Sequence, residues 1–287
     1  MDFRSCLDSE QGFMESSQDY EGSSIVLFGA PMDYTVSYRP GSRMAAQAIR
    51  RVSRALEEHS LVLEKDLREV RFFDGGDLVL PLGNVEKSLE IIEQAWRTLL
   101  KEGKFPLMIG GDHLVTLPAV KAAAELYPDL AVLQLDAHAD LRPHYLGEEK
   151  SHASVMYRIY SDTCVKDIYQ LGIRSATSQE LAFARQNTRF FPFEIIKPLE
   201  TLKDELAKRP LYVTLDIDVV DPAYAPGTGT PEPGGCSSRE IMEAAVKLSD
   251  FQLVGFDLVE VAPDYDRAQI TSLLAAKVIR EIILSHG

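Results

Sequence analysis

Short apolar runs alternate with amphipathic stretches along most of this chain. Residues 25–30, 105–109, 130–135, 168–171, 211–215 and 253–256 are almost wholly apolar, the pattern of strands buried on both faces of a sheet. Between them lie stretches of helical period. Leu89, Ile92, Trp96 and Leu99 recur at three and four residues behind Asn84, which predicts a capped amphipathic helix running to residue 102. Helices are likewise predicted over 45–58, 113–127, 153–160, 178–186, 238–248 and 268–284. Residues 69–73 read as a short edge strand and Asp74-Gly75-Gly76-Asp77 as a turn; the polar crossing over 31–43 holds too much Pro and Gly for an element and reads as the wall of a site. Roughly seven or eight strands alternating with helices predict an α/β protein with a three-layer α/β/α, doubly wound, mainly parallel sheet.

Three of the apolar runs end in the same way. Leu133-Gln134-Leu135 passes into Asp136-Ala137-His138-Ala139-Asp140, whose alternate positions share one face of an extended chain. Residues 211–215 pass into Asp216-Ile217-Asp218, and residues 105–109 into Gly110-Gly111-Asp112-His113. If these strands are neighbours in a parallel sheet, Asp136, Asp140, Asp216, Asp218, His113 and His138 gather at its carboxyl edge. Taken singly, each acid suits a helix cap or a turn. Three such endings together are hard to read as independent caps. Four crowded carboxylates would repel or take up protons, and two divalent cations would cancel their charge. The mix of oxygen and imidazole donors favours manganese, with iron, cobalt, nickel or zinc also compatible.

The 287 residues suit one large α/β domain, and no composition shift divides them: residues 1–24 read as a polar arm, mobile by itself or ordered against the body or a neighbouring subunit, and 25–287 as a single domain. Thirty basic against 44 acidic residues give a net charge of −14, which makes nucleic acid and anionic membrane poor partners and a cationic small molecule a good one. Cys6, Cys164 and Cys236 are widely spaced and form no zinc or disulfide pattern. The acidic amino terminus lacks the features of a signal peptide and no apolar run approaches a membrane span, so a soluble cytoplasmic protein is expected. Neither a dinucleotide-binding nor a P-loop glycine motif is present.

The blocks Gly110 to His113, Asp136 to Asp140, and Asp216-Ile217-Asp218-Val219-Val220-Asp221-Pro222 with Ala225-Pro226-Gly227-Thr228-Gly229-Thr230 resemble the signatures of the ureohydrolases, the family of arginases and agmatinases. The likeness runs from about residue 25 to the carboxyl end. Phe28 to Asp33, Thr35 to Arg43 and Asp257 to Pro263 are most similar to bacterial agmatinases of the Bacillus type. The resemblance implies an arginase-like fold and two manganese ions. One would be held by His113, Asp136, Asp140 and Asp216, the other by Asp136, His138, Asp216 and Asp218. It implies that Asp140 also carries a proton to the leaving amine, that His152 shuttles protons near the cleft mouth, and that Glu260 binds the guanidinium. Two close cations would acidify a shared water for attack on the guanidinium carbon, giving urea and a primary amine.

Agmatine, cleaved to putrescine and urea, is the expected substrate, and a homotrimer or homohexamer the expected assembly. Arginine, guanidinobutyrate or a related guanidine, or a catalytically silent metal-binding homologue, are the alternatives. A deacetylase-like hydrolase with one zinc would leave His113 and Asp140 without purpose. Arg142 and Thr177 stand where arginases bind the amino-acid end of their substrate, and Glu148 or Glu149 is the expected partner of a distal amine. Thr214 replaces a common Ser and keeps its hydroxyl; Ala45-Ala46 replaces a common Gly-Pro; Asp112 reads as a helix cap or a supporting acceptor.

Overall fold

The carboxyl ends of parallel strands converge on one edge of a nine-stranded sheet, and the order of those strands decides which side chains meet there. The computed structural model describes residues 7–8 and 12–287; the rest of the arm expected over 1–24, with Cys6, lies outside the described residues. In chain order the strands and helices are β1 (Leu7–Asp8), β2 (Ile25–Gly29), α1 (Ala45–Ser53), β3 (His59–Ser60), β4 (Lys65–Asp66), β5 (Phe72–Leu78) and α2 (Val85–Lys101). Then come β6 (Phe105–Ile109), α3 (Thr116–Leu126), β7 (Ala131–Leu135), α4 (Val155–Asp162), β8 (Ile168–Ile173), α5 (Ser178–Asn187), β9 (Arg189–Pro192) and α6 (Ile196–Leu206). The chain closes with β10 (Leu211–Asp216), α7 (Ser238–Lys247), β11 (Leu253–Val259) and α8 (Ile270–His286).

The strand order is β1-β5-β2-β6-β11-β10-β7-β8-β9, and every pairing is parallel except that of β1 with β5. Helices cover both faces. Side chains of α1, α6, α7 and α8 join one apolar cluster and those of α2, α3, α4 and α5 the other, which gives the expected three layers. Along β10 the two faces alternate: Leu211, Val213 and Leu215 enter the first cluster and Tyr212 the second, so Thr214 and Asp216 point the way Tyr212 does. β7 and β10 are neighbours, with Thr214 opposite Gln134 and Leu215 opposite Leu135. The two acid-ending runs therefore finish side by side.

Several elements differ from the sequence-based expectation. Asp74 to Asp77 is not a turn but the middle of β5, which lies inside the sheet between β1 and β2. The reason is Arg50 of α1, which donates from Nε and Nη2 to Asp74 at 2.8 and 3.0 Å and also pairs with Asp77, so acids that suggest a turn are neutralised within the protein. Helix α1 ends at Ser53, short of residue 58. β9 and α6 were not predicted. β9 is short and half-exposed, its apolar stretch broken by Pro192, and Pro198 masks α6 although it stands in the first turn, where no amide hydrogen is required. Of the arm, Phe13 packs at 2% exposure in the core and the Ser17 amide donates to the Phe72 carbonyl at 2.7 Å.

Candidate metal centre and active-site cleft

Side by side, the ends of β7 and β10 deliver the acids, and the turn after β6 delivers an imidazole to them. His113 Nδ1 lies 3.1 Å from a carboxylate oxygen of Asp136, 3.1 Å from one of Asp140 and 3.4 Å from one of Asp216. His138 Nδ1 lies 2.9 Å from Asp218 and 3.7 Å from Asp136. All six predicted ligands thus meet. Five of them form two overlapping groups, His113 with Asp136 and Asp140, and Asp136 with His138 and Asp218, in each of which the donor atoms lie within 4.8 Å of one another; Asp216 adjoins the first group through His113.

Hydrogen-bond accounting shows what the first group wants. Thr214 gives its single hydroxyl proton to Asp257 at 2.6 Å, so it accepts from His113 Nε2 at 2.9 Å. That leaves Nδ1 as the bare nitrogen, buried without a hydrogen-bond partner and facing carboxylates. Lone pairs facing lone pairs are tolerable only with a cation or a proton between them. Protonation shifts express the same demand. Burial alone would lower His113, but Asp136, Asp140 and Asp216 outweigh it and hold the imidazole well above its ordinary value. His138 is pushed up to about 12 by Asp218 and Asp136 against the effect of burial. Burial, then the charge of Asp136, raises Asp140 to about 7, and burial with Asp218 and Asp136 raises Asp216 well above the carboxylate range. Oxygen and imidazole donors with this hunger for positive charge fit divalent cations.

A polar row supports the cluster from below. Asp257, Thr214, Gln134 and Gln170 stand opposite one another across β11, β10, β7 and β8. Gln170 Nε2 donates to Gln134 Oε1 at 2.6 Å, and Gln134 Nε2 donates to Asp136 at 2.6 Å. Thr116 and the Tyr212 hydroxyl also donate to Asp257. Of this row the sequence points only to Thr214, whose retained hydroxyl does support His113; Gln134, Gln170 and Asp257 carry the same signal, a polar side chain inside an otherwise apolar strand.

The cluster lies in a cavity of about 290 Å³ lined also by Ser37, His152, Glu180, Thr230 and Glu260. Glu260 leaves β11 with φ of 63° and Asp140 has φ of 53°, a left-handed conformation uncommon for such residues and held here by the packing around it. Glu260 Oε1 accepts the His113 amide at 2.9 Å, while its own amide donates to the Gly111 carbonyl at 2.9 Å. Burial, then the charge of Asp112, pushes its carboxyl well above the ordinary value. His152 follows the cap residue Ser151; its Nδ1 faces the Thr35 carbonyl at 2.5 Å and its Nε2 faces Ser37 at 3.2 Å. Burial chiefly lowers it to about 4, helped by the charges of His138, His113 and Arg142. The 31–43 crossing does wall the site, and Asp112 both caps its turn and accepts from the Thr35 amide and hydroxyl.

The carboxylate at the mouth differs from the expected one. Glu148 is exposed and Glu149 pairs with Arg158, and neither lines the cavity. Glu180 does, at 4% exposure. It accepts from the Leu141 amide at 3.1 Å and from the amide and hydroxyl of Thr177 at 2.8 Å each. Arg142 lies nearby, its Nε 3.7 Å from Glu180 and its guanidinium over the Tyr145 ring. In sequence Thr177-x-x-Glu180 reads only as a capping box, which it also is.

Comparison with known proteins agrees with this geometry. The profile of the arginase family matches residues 23–285. Over 275 residues the chain is 46% identical to an agmatinase of Bacillus anthracis and 45% to one of Bacillus subtilis, with 95% of each chain covered in both cases. Among solved structures, the agmatine ureohydrolase of Thermoplasma volcanium superposes with a TM-score of 0.88 at 33% identity, covering 97% of this chain and 94% of that one.

Proposed function

The chain belongs to the arginase family, and from that premise we propose that it cleaves the guanidino group of agmatine to putrescine and urea at a binuclear manganese centre. One observation carries the reading: the cavity holds a cation-seeking cluster with Glu260 beside it and a second buried carboxylate, Glu180, among its walls. A substrate with a guanidinium at one end and an ammonium at the other matches that pairing.

His113, Asp136, Asp140 and Asp216 would hold one cation, and Asp136, His138, Asp216 and Asp218 the other. Such cations, when bound, acidify water for attack on a trigonal carbon. The protein's own residues do the rest. Glu260, buried beside Asp112 and raised well above its ordinary value, gains most from a guanidinium next to it, because that partner restores its charge and orients the planar group. Asp140 takes one proton of the attacking water and passes it to the departing nitrogen, and the hydroxyl proton left on the carbon follows as the carbon–nitrogen bond breaks, so that guanidinium and water give neutral urea and a primary ammonium. His152, with Nδ1 engaged by the Thr35 carbonyl and Nε2 turned to Ser37 on the cavity wall, exchanges protons between the amine and solvent through Nε2. Glu180 meets the distal ammonium.

The test is urea release after manganese loading, measured with agmatine, arginine, guanidinobutyrate and free guanidine. Agmatine is expected to be preferred over arginine by at least about a hundredfold in kcat/KM, the ratio that about 3 kcal/mol supplies. Equal values for the two would remove the agmatine assignment, and no urea from any guanidine would remove the hydrolase reading.

A further inference from the structure

Arg174, at the end of β8, uses its guanidinium in an unusual way. Nε donates to the Glu232 carbonyl at 3.1 Å, Nη1 to the carbonyls of Gly172 at 3.4 Å and Val219 at 3.1 Å, and Nη2 to those of Asp218 and Glu232 at 2.6 Å each. A guanidinium has five N–H groups, and all five are spent on main-chain oxygen. Its backbone is equally engaged: the amides of Arg174 and Ser175 both donate to the Ala137 carbonyl, at 2.8 and 2.9 Å.

Ala137 stands between Asp136 and His138. One residue therefore grips both segments that supply the Asp136, His138 and Asp218 group, the first through its main chain and the second through its side chain. The same guanidinium holds the 222–235 loop at Glu232, two residues beyond Thr230, whose hydroxyl donates to Asp218 at 3.3 Å. No such bond runs from the guanidinium to the turn that carries His113. The packing leaves no slack either, since a Cβ on Gly235 would stand 2.6 Å from Nη2.

We propose that Arg174 is a positioning residue for one half of the metal centre, fixing His138 and Asp218 relative to each other while leaving the His113 half to other supports. The proposal rests on the binuclear reading above. Its consequence is asymmetric: loss of the guanidinium should weaken one cation and spare the other.

The experiment is calorimetric titration of manganese into metal-stripped protein, wild type against Arg174→Ala and Arg174→Lys. One of two equivalents should weaken about tenfold to a hundredfold, the usual effect of removing a group that orients a ligand, and the other should stay near its wild-type affinity. The lysine variant keeps the stem and the charge but not the planar fork, so it should show the same asymmetry; it carries the test if the alanine variant does not fold. Equal weakening of both equivalents, or two wild-type affinities in a variant with a wild-type circular dichroism spectrum, would overturn the proposal alone. A wild-type protein that binds no manganese would overturn the binuclear reading with it.

Discussion

Glu180 accepts three hydrogen bonds, from the Leu141 amide and from the amide and hydroxyl of Thr177, and a carboxylate has room for about four. The remaining position faces a cavity, and the nearest charge, Arg142, is at 3.7 Å and stacked on Tyr145, so it partners Glu180 only loosely. A substrate ammonium can take that place. Glu180→Gln keeps the capping geometry of α5 but removes the charge, so KM for agmatine should rise by about tenfold or more, while KM for butylguanidine, which lacks the distal amine, should move far less. Steady-state kinetics with both substrates decide it, and an equal change in the two would show that Glu180 serves only the helix. At this scale the clustering of the six side chains is legible because Asp-x-His-x-Asp and Asp-x-Asp end apolar runs. Glu180 was not, because a capping glutamate looks the same in sequence whether it faces solvent or a cleft.

Elements place those residues, and the turn after β6 has no room for a side chain at Gly111. A Cβ on Gly111 would stand 1.8 Å from the Met32 carbonyl oxygen, the same oxygen that accepts the Asp112 amide at 2.6 Å. Gly111→Ala cannot be absorbed without moving the turn, and with it His113 and the Gly111 carbonyl that holds the Glu260 amide. A loss of about 3 kcal/mol or more is expected in denaturant unfolding. Gly83→Ala, at a φ of 72° but with nothing within 4 Å, should cost only about 1 kcal/mol. Similar losses for the two would mean that the turn is free to shift. Local pattern gave away the elements whose burial is self-evident, such as β7, β10 and α2. It misread Asp74 to Asp77, whose partner Arg50 is brought by the fold, and it passed over β9, which is half-exposed. Gln134 and Gln170 were read as ordinary strand positions because their partner, the row across the sheet, exists only once the register is known.

For the whole molecule, the buried cluster of carboxylates and imidazoles ties stability to pH. Asp140 rises from 3.8 to about 7 on folding, and Asp216 and Glu260 rise well above the carboxylate range. Groups of this kind are protonated in the folded protein while ionised in the unfolded chain, so the unfolded state binds fewer protons and stability falls as pH rises through the folded values. His138, raised from 6.5 to about 12, contributes stability that is complete below 6.5 and declines above it, a slope of the same sign. His152, lowered from 6.5 to about 4, has the opposite slope, but only below 6.5. Metal-free protein should therefore lose melting temperature steadily from about pH 6.5 to 9, and the net charge of −14 adds to that trend. Cations replace the protons that this cluster otherwise needs, so their affinity grows as pH rises, and with it their stabilisation of the folded state. Thermal melts in chelator and in manganese should show a larger metal-induced rise at pH 8 than at pH 6. A rise that is equal at the two values, or larger at pH 6, would mean that manganese binds without displacing protons from this cluster, and the charge argument for the site would fail.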